Sequence, residues 1–157
     1  MDWIFYARDK EQYTLTATNT FEAQNGGGEI TMQGVAEHTA HVLCNGLINI
    51  GLGGKGTDTY LTESVLMLDP TAKVDAIPGL EIKTNDVKAS HSATVSRVTA
   101  EDLYYFAARG IPTVEARQMF IVGFLGGRLE KIVNSNIRES IEGALMQKYS
   151  TDAVVSV

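Results

Sequence analysis

Residues 75–97 read D-A-I-P-G-L-E-I-K-T-N-D-V-K-A-S-H-S-A-T-V-S-R, from Asp75 to Arg97. The second half alternates. Val87, Ala89, His91, Ala93 and Val95 fall on one face; Lys88, Ser90, Ser92, Thr94 and Ser96 fall on the other. Side chains of a strand point to opposite sides with period two, so the pattern predicts a half-buried strand with one histidine on its apolar side. From Thr99 the periodicity becomes helical and stays so nearly to the end. The stretch therefore joins a β core over residues 1–98 to a helical subdomain over 99–157.

Upstream, the sequence reads as a series of short strands. Tyr13-Thr14-Leu15-Thr16-Ala17-Thr18 is rich in β-branched residues. Gln24 to Gly28 is a turn or loose loop, and Glu29-Ile30-Thr31-Met32 restarts a strand. His41-Val42-Leu43-Cys44 runs into Gly46 to Ile50, and Gly51 to Thr57 turns. Ser64 to Leu68 follows, closed by Asp69-Pro70, and Leu80-Glu81-Ile82 precedes the opening stretch. The blocks recur at intervals of roughly 16–17 residues, a spacing that fits a parallel β-helix, although a sandwich or barrel gives similar intervals.

Downstream, Thr99 is placed to cap a helix whose first turn carries Glu101 and Asp102, facing the positive end of the helix dipole. Gly110 can end that helix, and Pro112 sits where helices start. Ala116, Met119, Phe120, Gly123, Phe124 and Gly127 define one face of the next helix, with glycines that would permit close backbone approach. A last helix is expected near Asn136, with Glu139 as capping-box partner and a stripe of Ile137, Ile141, Ala144 and Leu145. Beyond Tyr149 the tail is expected to fray.

The totals narrow the function classes. The 157 residues suffice for one domain with a real core. A net charge of −6 and no basic cluster argue against a nucleic-acid surface. The single cysteine, Cys44, excludes an internal disulfide and fits a reducing compartment. No signal-peptide pattern opens the chain, and its longest apolar run, Met119 to Leu125, is far short of the roughly 20 residues that span a bilayer. These features read as a soluble cytoplasmic protein with no membrane contact.

Few residues invite chemistry. His38, His41 and Cys44 are spaced by three and resemble a metal-ligand set. In a strand, however, an offset of three sends side chains to opposite faces. The plainer reading of Cys44 is a small buried hydrophobe. Taken alone, His91 reads as a hydrogen-bonded core or interface histidine, and Glu81 as a solvated carboxylate. Gly51 to Thr57 has a passing likeness to a phosphate loop, but glycine follows Lys55 where a Walker loop needs Ser or Thr. No nucleophile elbow and no paired carboxylates appear, so the sequence presents no self-contained catalytic site.

Several ordered blocks resemble the SufB/SufD family of iron–sulfur cluster assembly proteins, in the C-terminal part of that family's core domain. They are Gly56-Thr57-Asp58, Val65 to Leu68, Ala72 and Asp75, Pro78-Gly79-Leu80-Glu81-Ile82, and Asp86 to Val95. Asp102 to Phe106, Ala108-Arg109-Gly110-Ile111, Glu115-Ala116-Arg117 and Gly123-Phe124 complete the series. The family pattern runs close to P-x-L-E-I, D-D-V-K-x-S-H-G-A-T, L-F-Y-L and S-R-G-I. The resemblance covers roughly residues 34–130.

This resemblance implies a mainly β protein, a right-handed parallel β-helix followed by a C-terminal α-helical subdomain, packed as one unit. It implies a scaffold that pairs with a SufB/SufD-like chain, as homodimer or heterodimer, and is bound by the Suf ATPase through its helices. His91 corresponds to the histidine of S-H-G-A-T, which in SufD-type chains lies at the subunit interface where a nascent cluster is thought to sit. His91 is therefore the expected interface or iron-site residue, with Cys44 a remoter metal candidate. Any iron–sulfur cluster would be transient, at an interface, and not held stably by this chain alone. SufB-type chains carry a functional cysteine at about the position of Thr62, where this chain has none. Ser92 replaces the usual glycine and Asn85 an aspartate, and the long N-terminal region of the family is missing. The chain thus looks SufD-like, either a short member or a C-terminal piece. The competing expectations are a small metal-dependent enzyme using His38, His41, Cys44 and His91, and a β-helix that serves outside the pathway.

Overall fold

The computed structural model describes residues 1–150; the frayed tail expected beyond Tyr149 lies, from 151 on, outside the described residues. The chain divides after Arg97 into two compact units.

The first unit contains eight strands: β1 (Asp2–Ala7), β2 (Gln12–Phe21), β3 (Gly27–Ala36), β4 (His41–Ile50), β5 (Asp58–Met67), β6 (Lys73–Ala76), β7 (Gly79–Ile82) and β8 (Lys88–Arg97). They form two sheets. One has the order β1-β3-β5-β8; in the other β4 lies between β2 and the successive short strands β6 and β7. Every pairing is parallel. The result is a β-solenoid of about three turns, as the resemblance implied. Paired residues lie between 29 positions apart, as in Asp2 and Thr31, and 32 apart, as in His41 and Lys73. Each turn contributes one strand to each sheet, so the shorter interval read from the sequence is half a turn.

Alternation along each strand builds the interior. On β5, Thr59, Leu61, Glu63, Val65 and Met67 all point inward and are buried. Ile30 and Met32 of β3 stack against Leu61 and Glu63. The facing strand β4 supplies Val42, Cys44, Ile48 and Ile50, each with no exposed surface. Burying each large aliphatic side chain is worth about 1.5–3 kcal/mol. Gly34 leaves room for Phe5 from the turn before; a Cβ there would stand 2.3 Å from the Phe5 ring.

The corners repeat as well. Asn25, Gly56 and Asp86 occupy equivalent positions in successive turns, all with positive φ. The Asn25 N–H donates to the Lys55 carbonyl and the Gly56 N–H to the Asp86 carbonyl, each at 2.8 Å. Left-handed backbone is tolerated by Asn and Asp as well as Gly, and that tolerance explains the corner residues.

Two sequence expectations change here. β1 and β6 were not foreseen, and β5 starts at Asp58, six residues before the block at Ser64. The opening stretch does form β8, but it is not half-buried. Only Ala89 and Ser92 are partly covered, because no later strand among the described residues stacks upon it.

The second unit holds α1 (Ala100–Ala107), α2 (Thr113–Leu129) and α3 (Ser135–Ser150). Thr99 caps α1 as expected and closes a capping box with Asp102: the Asp102 N–H donates to Thr99 Oγ1 at 3.1 Å, and the Thr99 N–H to Asp102 Oδ2 at 2.8 Å. The Thr99 hydroxyl also donates to Asp102 Oδ2, at 2.7 Å, and this bond, with the one from the Thr99 N–H, holds the Asp102 carboxyl below its ordinary value. α2 follows Pro112, but its buried face is Ala116, Ile121, Leu125 and Leu129. The glycine stripe lies outside it, and a Cβ at Gly123 or Gly127 would meet nothing within 4 Å. Large aliphatics, rather than small residues, drive the contact. α3 starts one residue earlier than expected, and the Ile137 N–H donates to Asn134 Oδ1 at 3.2 Å. Ile141 and Leu145 are half-buried, whereas Ile137 is exposed.

Candidate functional site

The four residues of the enzyme reading do not gather. His38 sits on a solenoid corner with φ 56, its Nδ1 2.9 Å from Asp9 Oδ1. His41 points outward from β4, its Nε2 2.8 Å from Asp75 Oδ2. Cys44, three residues on, points inward and is buried. Among the described residues the close set of His, Cys and acidic donors is Glu37, His38 and Asp69. That set contains none of the other three candidates. Its groups have internal partners: Tyr6 Oη donates to Glu37 Oε2 at 2.7 Å, and the His38 N–H to Asp69 Oδ2 at 2.8 Å.

His91 stands elsewhere, on β8 opposite Leu61 of β5. Leu61 points into the solenoid, and partners in a parallel ladder share a face, so His91 belongs to the same inner row. It is nevertheless exposed, because β8 ends its sheet. The interior is open at this end. Val95 is 46% exposed, and Ile82, which extends the inner row of the other sheet beyond Ile50, is 42% exposed.

Beneath this opening lies a residue the sequence reading passed over. Glu63 on β5 is completely buried. Its Oε1 accepts the Gly46 N–H at 2.7 Å, while Oε2 has no hydrogen-bond partner. Burial pushes its carboxyl above the ordinary value; the backbone N–H groups of Gly46 and Ile77 and the nearby His91 pull it partly back. The Ile77 N–H is already given to the Cys44 carbonyl at 2.9 Å, so it does not satisfy Oε2. Gly46 keeps the space open: a Cβ there would stand 2.5 Å from Leu61 and 3.0 Å from Glu63 Oε1. Cys44 lines the same interior. Burial, reinforced by the Glu63 charge, pushes its thiol up to about 12, so it is a protonated thiol at neutral pH.

The residues at the open end are thus an exposed imidazole, a buried carboxylate with one free oxygen, and an unreactive thiol. Imidazole and carboxylate suit a divalent metal ion, and iron–sulfur clusters are held chiefly by thiolates, with imidazole taking the place of some of them in Rieske centres. The only hint of Glu63 in the sequence was its place on the inward row of Thr59, Leu61 and Val65.

The chain belongs to the SufBD core family: residues 1–124 match the family model described as "SUF system FeS cluster assembly, SufBD core domain". It is 36% identical over 104 residues to the iron-sulfur cluster assembly protein SufD of Escherichia coli, covering 66% of this chain and 25% of the relative. It is 34% identical over 121 residues to SufD of Bacillus subtilis, covering 77% and 28%. A SufBD family protein of Mycobacterium bovis is 36% identical over 107 residues, covering 68% and 27%. The chain thus spans about a quarter of the length of these relatives. No helix among the described residues is long and apolar enough to cross a membrane.

Proposed function

We propose that this chain is a non-enzymatic scaffold subunit of a Suf-type iron–sulfur cluster assembly complex, working in the cytoplasm. It pairs with a SufB/SufD-like chain through the open end of the solenoid. The observation that carries this reading is β8: a ten-residue strand that ends its sheet, bears His91, and has no strand on its outer side among the described residues. An unpaired edge of that length is a template for another chain. A SufB/SufD-like partner, identical or different, would cover Val95 and Ile82 and bring its own donors to His91. A transient iron–sulfur cluster would then form between subunits. This chain supplies His91 to it, and the protonated Cys44 supplies no thiolate.

The Suf ATPase is assigned to the helical unit. α2 and α3 enclose a groove of about 340 Å³ lined by Ile121, Leu125, Leu129, Leu145 and Met146. Tyr104, Met119 and Val122 are exposed on α1 and α2. Apolar surface of this kind suits a protein partner.

Light scattering on a size-exclusion column, with and without the ATPase of the same organism, tests the reading. A pair that shifts to a larger complex supports it. A monomer indifferent to the ATPase refutes it. His91→Ala then separates the two roles: pairing persists while cluster assembly falls.

A further inference from the structure

We propose that the groove between α2 and α3 receives one amphipathic helix of the Suf ATPase, with an apolar face and two basic side chains about two turns apart. The inference rests on the reading that assigns the ATPase to the helical unit, and names the element that docks and the chemistry that selects it. The floor of the groove is apolar: Ile121, Leu125 and Leu129 from α2, Leu145 and Met146 from α3. Its charged lining residues are Glu130 and Glu142, both exposed. Neither carboxylate has a cationic partner among the described residues.

The helices run antiparallel, which fixes where those acids lie. Tyr149 Oη donates to the Val114 carbonyl, and Gln118 Nε2 lies 3.8 Å from Met146 Sδ. Continued along both helices, that register sets Glu142 level with Val122. Glu130 stands eight residues further along α2, a rise of about 12 Å. The groove thus has an acid at each end and apolar side chains between.

A helix lying along this channel passes both acids in a little over two turns, at positions i and i+7 or i+8. Between them, residues at three-and-four spacing face the floor, the pattern by which an amphipathic helix fills a groove. Gly126 lines the same channel, and a Cβ there would meet nothing within 4 Å, so the incoming backbone can come close. An acidic helix would set like charges at both ends, which selects against it. A second copy of this chain fits poorly: α1 has no basic residue, α2 has Arg117 and Arg128, and α3 has Arg138 and Lys148, all too far apart along their helices.

The test uses the full chain and two probes. One is the ATPase of the same organism. The other is a synthetic helix with leucines at three-and-four spacing and two lysines eight residues apart, compared with a twin bearing glutamates in their place. Calorimetric titrations at low and moderate salt compare wild type, the double variant Glu130→Lys with Glu142→Lys, and the solenoid control Glu29→Lys. Wild type should bind the ATPase and prefer the lysine helix. The double variant should bind both at least tenfold more weakly at low salt, with a smaller gap once salt screens the charges, and Glu29→Lys should bind as wild type does. A folded double variant that binds the ATPase as tightly as wild type overturns this inference alone and leaves the ATPase on the helical unit. A wild type that binds the two synthetic helices alike overturns it as well, and decides the matter should the double variant fail to fold. Self-association that the double variant loses would put a second copy in the groove, against the proposal. A wild type that prefers the lysine helix yet ignores the ATPase overturns the ATPase reading, and with it the occupant named here, while the groove's selectivity stands.

Discussion

The solenoid and the helical unit bury their apolar residues very differently. The solenoid fills its interior from three successive turns, and residues such as Met32, Val42, Ile48 and Leu61 lose all exposed surface. Among the described helical residues, α1 buries none and α2 buries four, Ala116, Ile121, Leu125 and Leu129. Phe106 and Phe120 meet edge-on, centroids 5.5 Å apart, and Tyr149 Oη donates to the Val114 carbonyl. The solenoid is held by pairing between successive turns, while the helices keep much of their apolar surface outward. The solenoid is closed upon itself, and the helical unit leaves apolar surface available.

One substitution made in both units measures this contrast. Leu61→Ala removes a side chain wholly enclosed between turns, and should cost about 3–4 kcal/mol, near the middle of the range for buried leucines. Leu125→Ala removes an equally covered side chain from a thinner layer that can collapse, and should cost nearer 2 kcal/mol. Urea melts followed by circular dichroism check both. Equal losses would mean that the helical unit is packed as tightly as the solenoid.

Gly46→Val probes the interior from the other side. The new side chain would collide with Leu61 and crowd the Glu63 carboxylate, at an expected cost of about 1–3 kcal/mol. A variant as stable as wild type would show that the space beside Glu63 is wider than the geometry describes.

Period-two alternation made some strands legible and hid others. β8 was readable because one row is largely apolar or small while the other is polar, and β4 because Val42, Cys44, Gly46, Ile48 and Ile50 make an unbroken apolar or small inner row. The first half of β5 was not, because its inward row contains Thr59 and Glu63, residues whose type signals an outward face. β6 was missed because it spans four residues before Ile77-Pro78 interrupts it. β1 was missed because Phe5, Tyr6 and Ala7 are buried in succession, which erases alternation. At the site, His91 was visible through its motif, but its exposure was not. Exposure depends on which strand comes last, and a single strand's pattern does not encode that.

Glu63→Gln tests whether the buried carboxylate is a liability kept for function. Burial raises its folded-state pKa, so the folded chain holds this proton more tightly than the unfolded chain. Its contribution to stability is complete below the unfolded carboxylate value, about 4.3, and is lost as pH rises through the folded value. Glutamine keeps the acceptor for the Gly46 N–H and carries no charge. The variant should match wild type near pH 4 and exceed it by about 1 kcal/mol at pH 7, the low end for relieving one buried unpaired group near solvent. Melts at the two pH values, with a chelator present, provide the check. A difference that does not change with pH would dissociate it from the carboxyl group.

The smallest expected effect bears most directly on the contrast between the units. A Cβ at Gly123 meets nothing within 4 Å, and the residue lies inside α2 on an exposed face. Glycine in a helix interior costs up to about 1 kcal/mol relative to alanine, so Gly123→Ala should raise stability by roughly 0.5–1 kcal/mol. Among the described residues the glycine has no packing role. If the ATPase lies close against this face, the same methyl should weaken its binding while stabilising the free chain. Opposite signs in a thermal melt and an ATPase titration would place a partner backbone at Gly123. Stabilisation with unchanged binding would move the ATPase contact to the α2–α3 groove or to the tyrosines of α1.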